Sequence, residues 1–125
     1  MTSGEQLRDY SYVDDQIRAM LLAATRPLPR IAPVYNIGSG RPIRVRALLE
    51  AIARAVAPES IARIDFGARG ARAGDPPEMY ADVSAAAREL EFTPRVSLEE
   101  GLRRTVAAYR GVEEAHPADG RRGPR

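Results

Sequence analysis

The 125-residue chain has no cysteine and no lysine, and its single histidine is His116. Without cysteine there is no disulfide, no thiolate metal site and no cysteine nucleophile. Without lysine, chemistry that depends on an amine side chain is closed to these residues. One histidine in a polar tail offers neither a metal site nor a histidine base. No apolar run approaches the roughly 20 residues that span a bilayer. The N-terminus also lacks the basic start and apolar stretch of a secretory signal, so the expected setting is the cytoplasm, with no membrane partner.

What is present suits one soluble domain. Hydrophobic residues make up 44% and charged residues 29% of the chain, and a domain of this length buries roughly two-thirds of the surface its unfolded chain exposes. All 19 basic residues are arginine, yet the net charge is only +2, because they are interleaved with 17 acids. That pattern is not the one-signed patch of a nucleic-acid binder.

Periodicity divides the chain into helix, strand, helix, strand, helix, helix and tail, an α/β order. Asp14 is placed to cap a helix in which Ile17, Met20, Leu21 and Ala24 share an apolar face that ends before Pro27. Val34 to Ile37, bounded by proline and by Gly38 and Gly40, reads as a buried strand, and "GSG" as a tight strand-to-helix turn. Val45, Leu48, Leu49, Ile52 and Val56 fall on one face of a helix closed by Pro58. "ARIDF" reads as a short strand, and "GARGARAGDPPEMY", from Gly67, as loop. Asp82 is placed to cap a short helix. Ser97 and Glu100 form a capping box for a last helix, with Leu98, Leu102, Val106 and Tyr109 as its buried stripe.

Four stretches in this order, "RDYSYVDD", "VYNIGSGRPI", "RAGDPPEMYADVSAAARELEF" and "TPRVSLEEGLRRTVAAYR", resemble the C-terminal half of the extended short-chain dehydrogenases/reductases. These are NAD-dependent nucleotide-sugar epimerases and dehydratases, UDP-glucose 4-epimerase among them. The resemblance runs from Gly4 to about Gly111. It implies an α/β chain in which residues 1–40 correspond to the last helix and strand of the NAD-binding Rossmann domain. Residues 41–112 correspond to the nucleotide-sugar-binding subdomain, and residues 113–125 form a disordered tail.

By the same resemblance, Arg8 of "RDY" and Arg72 of "RAGD" grip the diphosphate of a nucleoside diphosphate sugar, a task suited to two guanidinium forks. Asp75 accepts a hydrogen bond from the ribose, Tyr10 flanks the nucleotide, and Val45 lies near the base. Each has a plainer reading. Arg8 would pair with Asp9 or Asp14, Arg72 would be solvated, Asp75 would make a turn before Pro76, and Tyr10 and Val45 would be core. Arg44, Ala85 and Glu91 stand where the family usually has a capping serine or threonine, a lysine and a glycine.

The family's cofactor-binding glycine turn, its catalytic tyrosine and lysine and its active-site serine or threonine have no counterpart in these residues. The resemblance therefore implies that NAD serves the full-length family while this chain alone binds none and is inactive, with no catalytic, cofactor or metal residue of its own. It also implies that full-length relatives form homodimers and that a partner chain could supply the rest. The apolar faces of the first helix and of Val34 to Ile37 would be left uncovered. The alternative is a freestanding module that binds a nucleotide sugar or a partner chain.

Overall fold

The computed structural model describes residues 2–29, 31, 33–70 and 73–115. Its elements are β1 (Leu7–Arg8), α1 (Val13–Thr25), β2 (Ile43–Arg44), α2 (Val45–Val56), a 3-10 turn (Pro58–Arg63), β3 (Glu78–Met79), α3 (Ser84–Glu89) and α4 (Leu98–Ala115). The three short strands form one sheet in the order β2-β1-β3. Leu7 lies opposite Arg44 in the antiparallel pair and opposite Glu78 in the parallel one. The strand β3 falls inside the stretch expected to be loop. It exists because β1 offers an edge to pair with, not because "EM" favours extension.

The helices follow their sequence periodicity, with corrections at their ends and faces. α1 begins one residue before Asp14, with Tyr12 at the cap and no side-chain cap bond. Asp14 instead pairs with Arg104 of α4 at 3.2 Å. α2 opens at Arg44 with no side-chain cap bond, as the arginine at that position implies. It packs on α4, and Leu48, Ile52, Leu98 and Leu102 line the seam. Asp82 lies one residue before the cap of α3, and its carboxylate still takes the Ser84 N–H at 2.9 Å. At α4, Ser97 Oγ accepts the Glu100 N–H at 3.2 Å. The reciprocal half of that box is missing, because Glu100 is held by Arg103 and Arg104, which pull its pKa down to about 2. Tyr109 was expected in the buried stripe of α4, yet it is 70% exposed. α4 also runs on to Ala115, into the stretch expected to be tail; residues 116–125, His116 among them, lie outside the described residues.

Two expected strands do not form. Val34 to Ile37 is extended without a strand partner among the described residues. It keeps a period of two, with Tyr35 and Ile37 packed on the cluster of Ala19, Ala86, Leu90 and Phe92 while Val34 stays 83% exposed. "ARIDF" begins in the 3-10 turn and forms no strand. A strand satisfies its backbone only through a neighbour, so an apolar β-prone run without one stays irregular. Glu91, at the family's glycine position, has φ 50. This left-handed conformation costs a residue with a side chain roughly 1 to 2 kcal/mol.

α1 turns its small residues inward. Ala19 is buried and Leu22 and Ala23 pack against the core, whereas Val13, Ile17, Met20 and Leu21 are all more than half exposed. The apolar face legible in the sequence is thus the solvent face. Contiguous apolar surface of this kind drives association. Replacing Ile17 and Met20 together by glutamate should change stability by less than about 0.5 kcal/mol, as surface substitutions do. The same change should turn a self-associating chain into a monomer in sedimentation at equal concentration. A parent chain that sediments as a monomer at high micromolar concentration would contradict this reading.

Candidate functional site

The alternation of a strand places Gln6, Arg8 and Tyr10 on one side of the β1 segment. Because β3 runs parallel to β1, with Leu7 opposite Glu78, the loop entering β3 lies beside the start of β1. The Leu7 N–H donates to the Pro77 carbonyl at 2.8 Å and anchors that loop. Asp75, 67 residues from Arg8, is thereby brought against it: Arg8 Nη2 donates to Asp75 Oδ1 at 2.7 Å and to the Pro76 carbonyl at 3.0 Å. Arg8 Nη1 donates to the Leu7 carbonyl at 2.7 Å. Gln6 Nε2 donates to the other carboxylate oxygen of Asp75 at 3.2 Å. The Asp75 carboxylate is therefore clasped by Arg8 and Gln6. Neither the turn expected of Asp75 nor the Asp9 or Asp14 pairing of Arg8 describes the contact that forms.

These residues wall an open pocket of ≈ 570 Å³, lined by Gln6, Arg8, Tyr10, Val45, Asp75 and Met79 among others. Four of the five candidate residues, Arg8, Tyr10, Val45 and Asp75, thus share one pocket. The fifth, Arg72, lies outside the described residues. Of the five N–H donors of a guanidinium, three hydrogen bonds engage Arg8, so Nε–H and one Nη1–H have no acceptor among the described residues. They can serve an anion in the pocket while Asp75 holds the plane of the fork.

Asp9 also lines this pocket, but its carboxylate has a different task. Its carboxylate accepts the N–H and hydroxyl of Ser39 and the N–H of Gly40, the latter at 3.0 Å. Gly40 has φ 67, and any side chain at Gly38 would collide with the Asp9 carboxylate. This lock ties the "GSG" turn to β1 and so sets the approach of β2 and Val45 to the pocket. It also bears on NAD. The turn's amides, the groups a glycine-rich loop would offer a pyrophosphate, already hold a carboxylate. This turn's Ser39 and Gly40 N–H groups are therefore not free for a pyrophosphate. Among the described residues no group of three or more histidine, cysteine, aspartate or glutamate side chains could hold a metal ion, and no helix is long and apolar enough to cross a membrane.

Sequence reading missed Gln6, Asp9 and Asp15. Asp15 is buried at 2% exposure, and its oxygens accept the N–H groups of Arg95 and Val96 at 3.0 Å and Arg18 Nη2 at 2.9 Å. Arg18 also donates to the Thr93 carbonyl and lies over the Phe92 ring, 4.9 Å from its centroid. An aspartate in the polar run "VDD" carries no signal of burial. For Gln6 the only available cue is its place two residues before Arg8 on one strand face.

The family model described as GDP-mannose 4,6 dehydratase matches residues 1–105 of the sequence. The chain belongs to the GDP-mannose 4,6-dehydratase family. Among curated members with related sequences, UDP-arabinose 4-epimerase 1 of Arabidopsis thaliana is 36% identical over 100 residues, covering 79% of this chain and 23% of that protein. Among solved structures, UDP-glucose 4-epimerase of Thermotoga maritima with UDP-glucose superposes at a TM-score of 0.73 with 36% identity, over 87% of this chain and 33% of that one. MoeE5 in complex with UDP-glucuronic acid and NAD is 32% identical at a TM-score of 0.67, over 87% and 35%. The chain thus spans about a quarter to a third of the length of the family members it matches. The fold is the corresponding part of a Rossmann-type epimerase or dehydratase.

Proposed function

We propose that this chain is the nucleotide-sugar-binding part of an NAD-dependent, cytoplasmic epimerase or dehydratase, and that it performs no turnover alone. The observation that carries the reading is the convergence of Arg8 and Asp75, 67 residues apart, at 2.7 Å in the wall of one pocket. In this reading the uncommitted donors of Arg8, joined by Arg72, three residues before Asp75 in the sequence, take the diphosphate. Asp75 takes the ribose, and Tyr10 and Val45 flank the nucleoside. The likeness to a structure holding UDP-glucose supports a nucleoside diphosphate sugar as the ligand class. The chemistry of hydride and proton transfer would fall to a cofactor-bearing part outside these residues.

The exposed face of α1, Val13, Ile17, Met20 and Leu21, favours a second reading of how that part is supplied. The face is suited to docking a separate chain that carries the cofactor half. Both readings share the same pocket. Calorimetry of the chain with UDP-glucose and dTDP-glucose at low salt should show weak binding. Incubation with either sugar nucleotide and NAD should show no conversion above a heat-killed control. Conversion would overturn the inactive reading; absence of binding would overturn the assignment of the pocket.

A further inference from the structure

A second pocket of ≈ 400 Å³ lies between the "GSG" turn and the start of α4, lined by Arg41, Ile43, Arg95, Leu98 and Glu99 among others, and it shares only Tyr10 with the pocket of Arg8 and Asp75. Arg41 and Arg95 are both exposed, and neither guanidinium has a hydrogen bond or ion pair among the described residues. Their backbones, by contrast, are held. The Arg41 N–H donates to Ser39 Oγ at 3.0 Å, and Ser39 is itself bound by Asp9. The Arg95 N–H donates to the buried Asp15 at 3.0 Å. Two carboxylates thus fix the segments that carry the arginines and leave both guanidinium groups unspent. A single arginine of this kind is a solvated surface residue; two that line one cavity make a cationic site.

The class of ligand follows from the lining. Two guanidinium forks suit a phosphate, whose several oxygens accept paired, charge-assisted hydrogen bonds. The volume is in the range of pockets that hold a small organic molecule rather than a bare ion, and Tyr10, Ile43 and Leu98 give part of the wall an apolar surface. Glu99 lines the same pocket and has no ion pair among the described residues. Its carboxylate repels a second phosphate but accepts hydroxyl donors. A ligand that answers all three features carries one phosphate, a compact carbon frame and hydroxyl groups at its far end. We propose that this pocket binds a sugar monophosphate, at a site separate from the one that Arg8 and Asp75 form.

Calorimetry on the full chain at low salt, with glucose 6-phosphate, glucose and inorganic phosphate as probes, tests this. Glucose 6-phosphate should bind, inorganic phosphate should bind more weakly, and glucose should show no heat. Arg41→Gln and Arg95→Gln should each weaken glucose 6-phosphate by roughly tenfold, as expected for the loss of hydrogen bonds to a charged group. Both variants keep the backbone N–H groups that Ser39 and Asp15 accept, so the pocket keeps its shape. Arg8→Ala should leave glucose 6-phosphate unaffected, and Glu99→Ala should narrow the gap between glucose 6-phosphate and inorganic phosphate. A parent that does not bind glucose 6-phosphate, or binding that Arg8→Ala weakens and the two glutamine variants do not, overturns the site and leaves the Arg8 pocket standing. Equal affinity for glucose 6-phosphate and inorganic phosphate overturns the assignment to a sugar.

Discussion

Replacing Asp15 by alanine should destabilise the chain by about 3 to 5 kcal/mol, the range for removing one partner of a buried, hydrogen-bonded charge. That is a large share of the 5 to 15 kcal/mol that typically holds a small domain together. Asp15 is 2% exposed, and its carboxylate accepts the backbone N–H groups of Arg95 and Val96 and the guanidinium of Arg18. These bonds fasten α1 to the loop that leads into α4, with no other buried polar group sharing the task among the described residues. Truncation leaves two amides and a partly buried arginine without their acceptor. Arg18→Ala removes the bond to Asp15, the contact with the Thr93 carbonyl and the stacking on Phe92 but leaves Asp15 its two backbone N–H donors, so it should cost less, roughly 1.5 to 3 kcal/mol.

The pH dependence of the Asp15 contribution has a definite direction. Burial alone would raise the Asp15 pKa; the hydrogen bonds from the Val96 N–H, from Arg18 and from the Arg95 N–H outweigh it, and the net shift is downward. A group with a depressed folded pKa stabilises fully above its unfolded value and loses that contribution as pH falls through the folded one. The difference between parent and Asp15→Ala should thus be constant near neutrality and shrink below about pH 4, the ordinary aspartate range. Urea titrations at several pH values measure it. A neutral-pH difference under about 1 kcal/mol would show that the Asp15 contacts do not hold α1 in place.

Arg8→Ala should weaken the binding of UDP-glucose by roughly ten- to a hundredfold, the equivalent of about 1.5 to 3 kcal/mol for a hydrogen-bonding ionic contact. Arg8→Lys should not restore it, because an ammonium cannot hold the Asp75 carboxylate and an anion at once in the planar geometry of a fork. The loss should diminish as salt is added, since the pocket is open and its charges are screened. Asp75→Ala should weaken binding by a similar route, through the loss of the acceptor that orients Arg8 at 2.7 Å. An affinity unchanged in Arg8→Ala would remove Arg8 from the site, and one equal in Arg8→Lys and the parent would reduce its role to bulk charge.

The three long helices were legible in the sequence because a helix satisfies its own backbone within four residues. Apolar spacing therefore locates α1, α2 and α4 without reference to the rest of the chain. The capping role of Ser97, and the tight turn at Gly38 to Gly40, are local for the same reason. The motifs "RDY" and "RAGD" pointed to Arg8, Asp75 and Arg72 through the likeness of their order and spacing to a known family. What the tertiary structure decided was everything that depends on a distant neighbour. It paired β1 with β3 inside an expected loop and, among the described residues, left the more β-prone Val34 to Ile37 outside any strand. It turned Ala19 inward and the larger Ile17 and Met20 outward, and it buried Asp15 on two amides some 80 residues away. It also brought Gln6 and Arg8 to the two oxygens of one carboxylate. Periodicity records that a face is apolar but not what covers it, and a polar residue's burial depends on donors that only the folded chain brings within hydrogen-bonding distance.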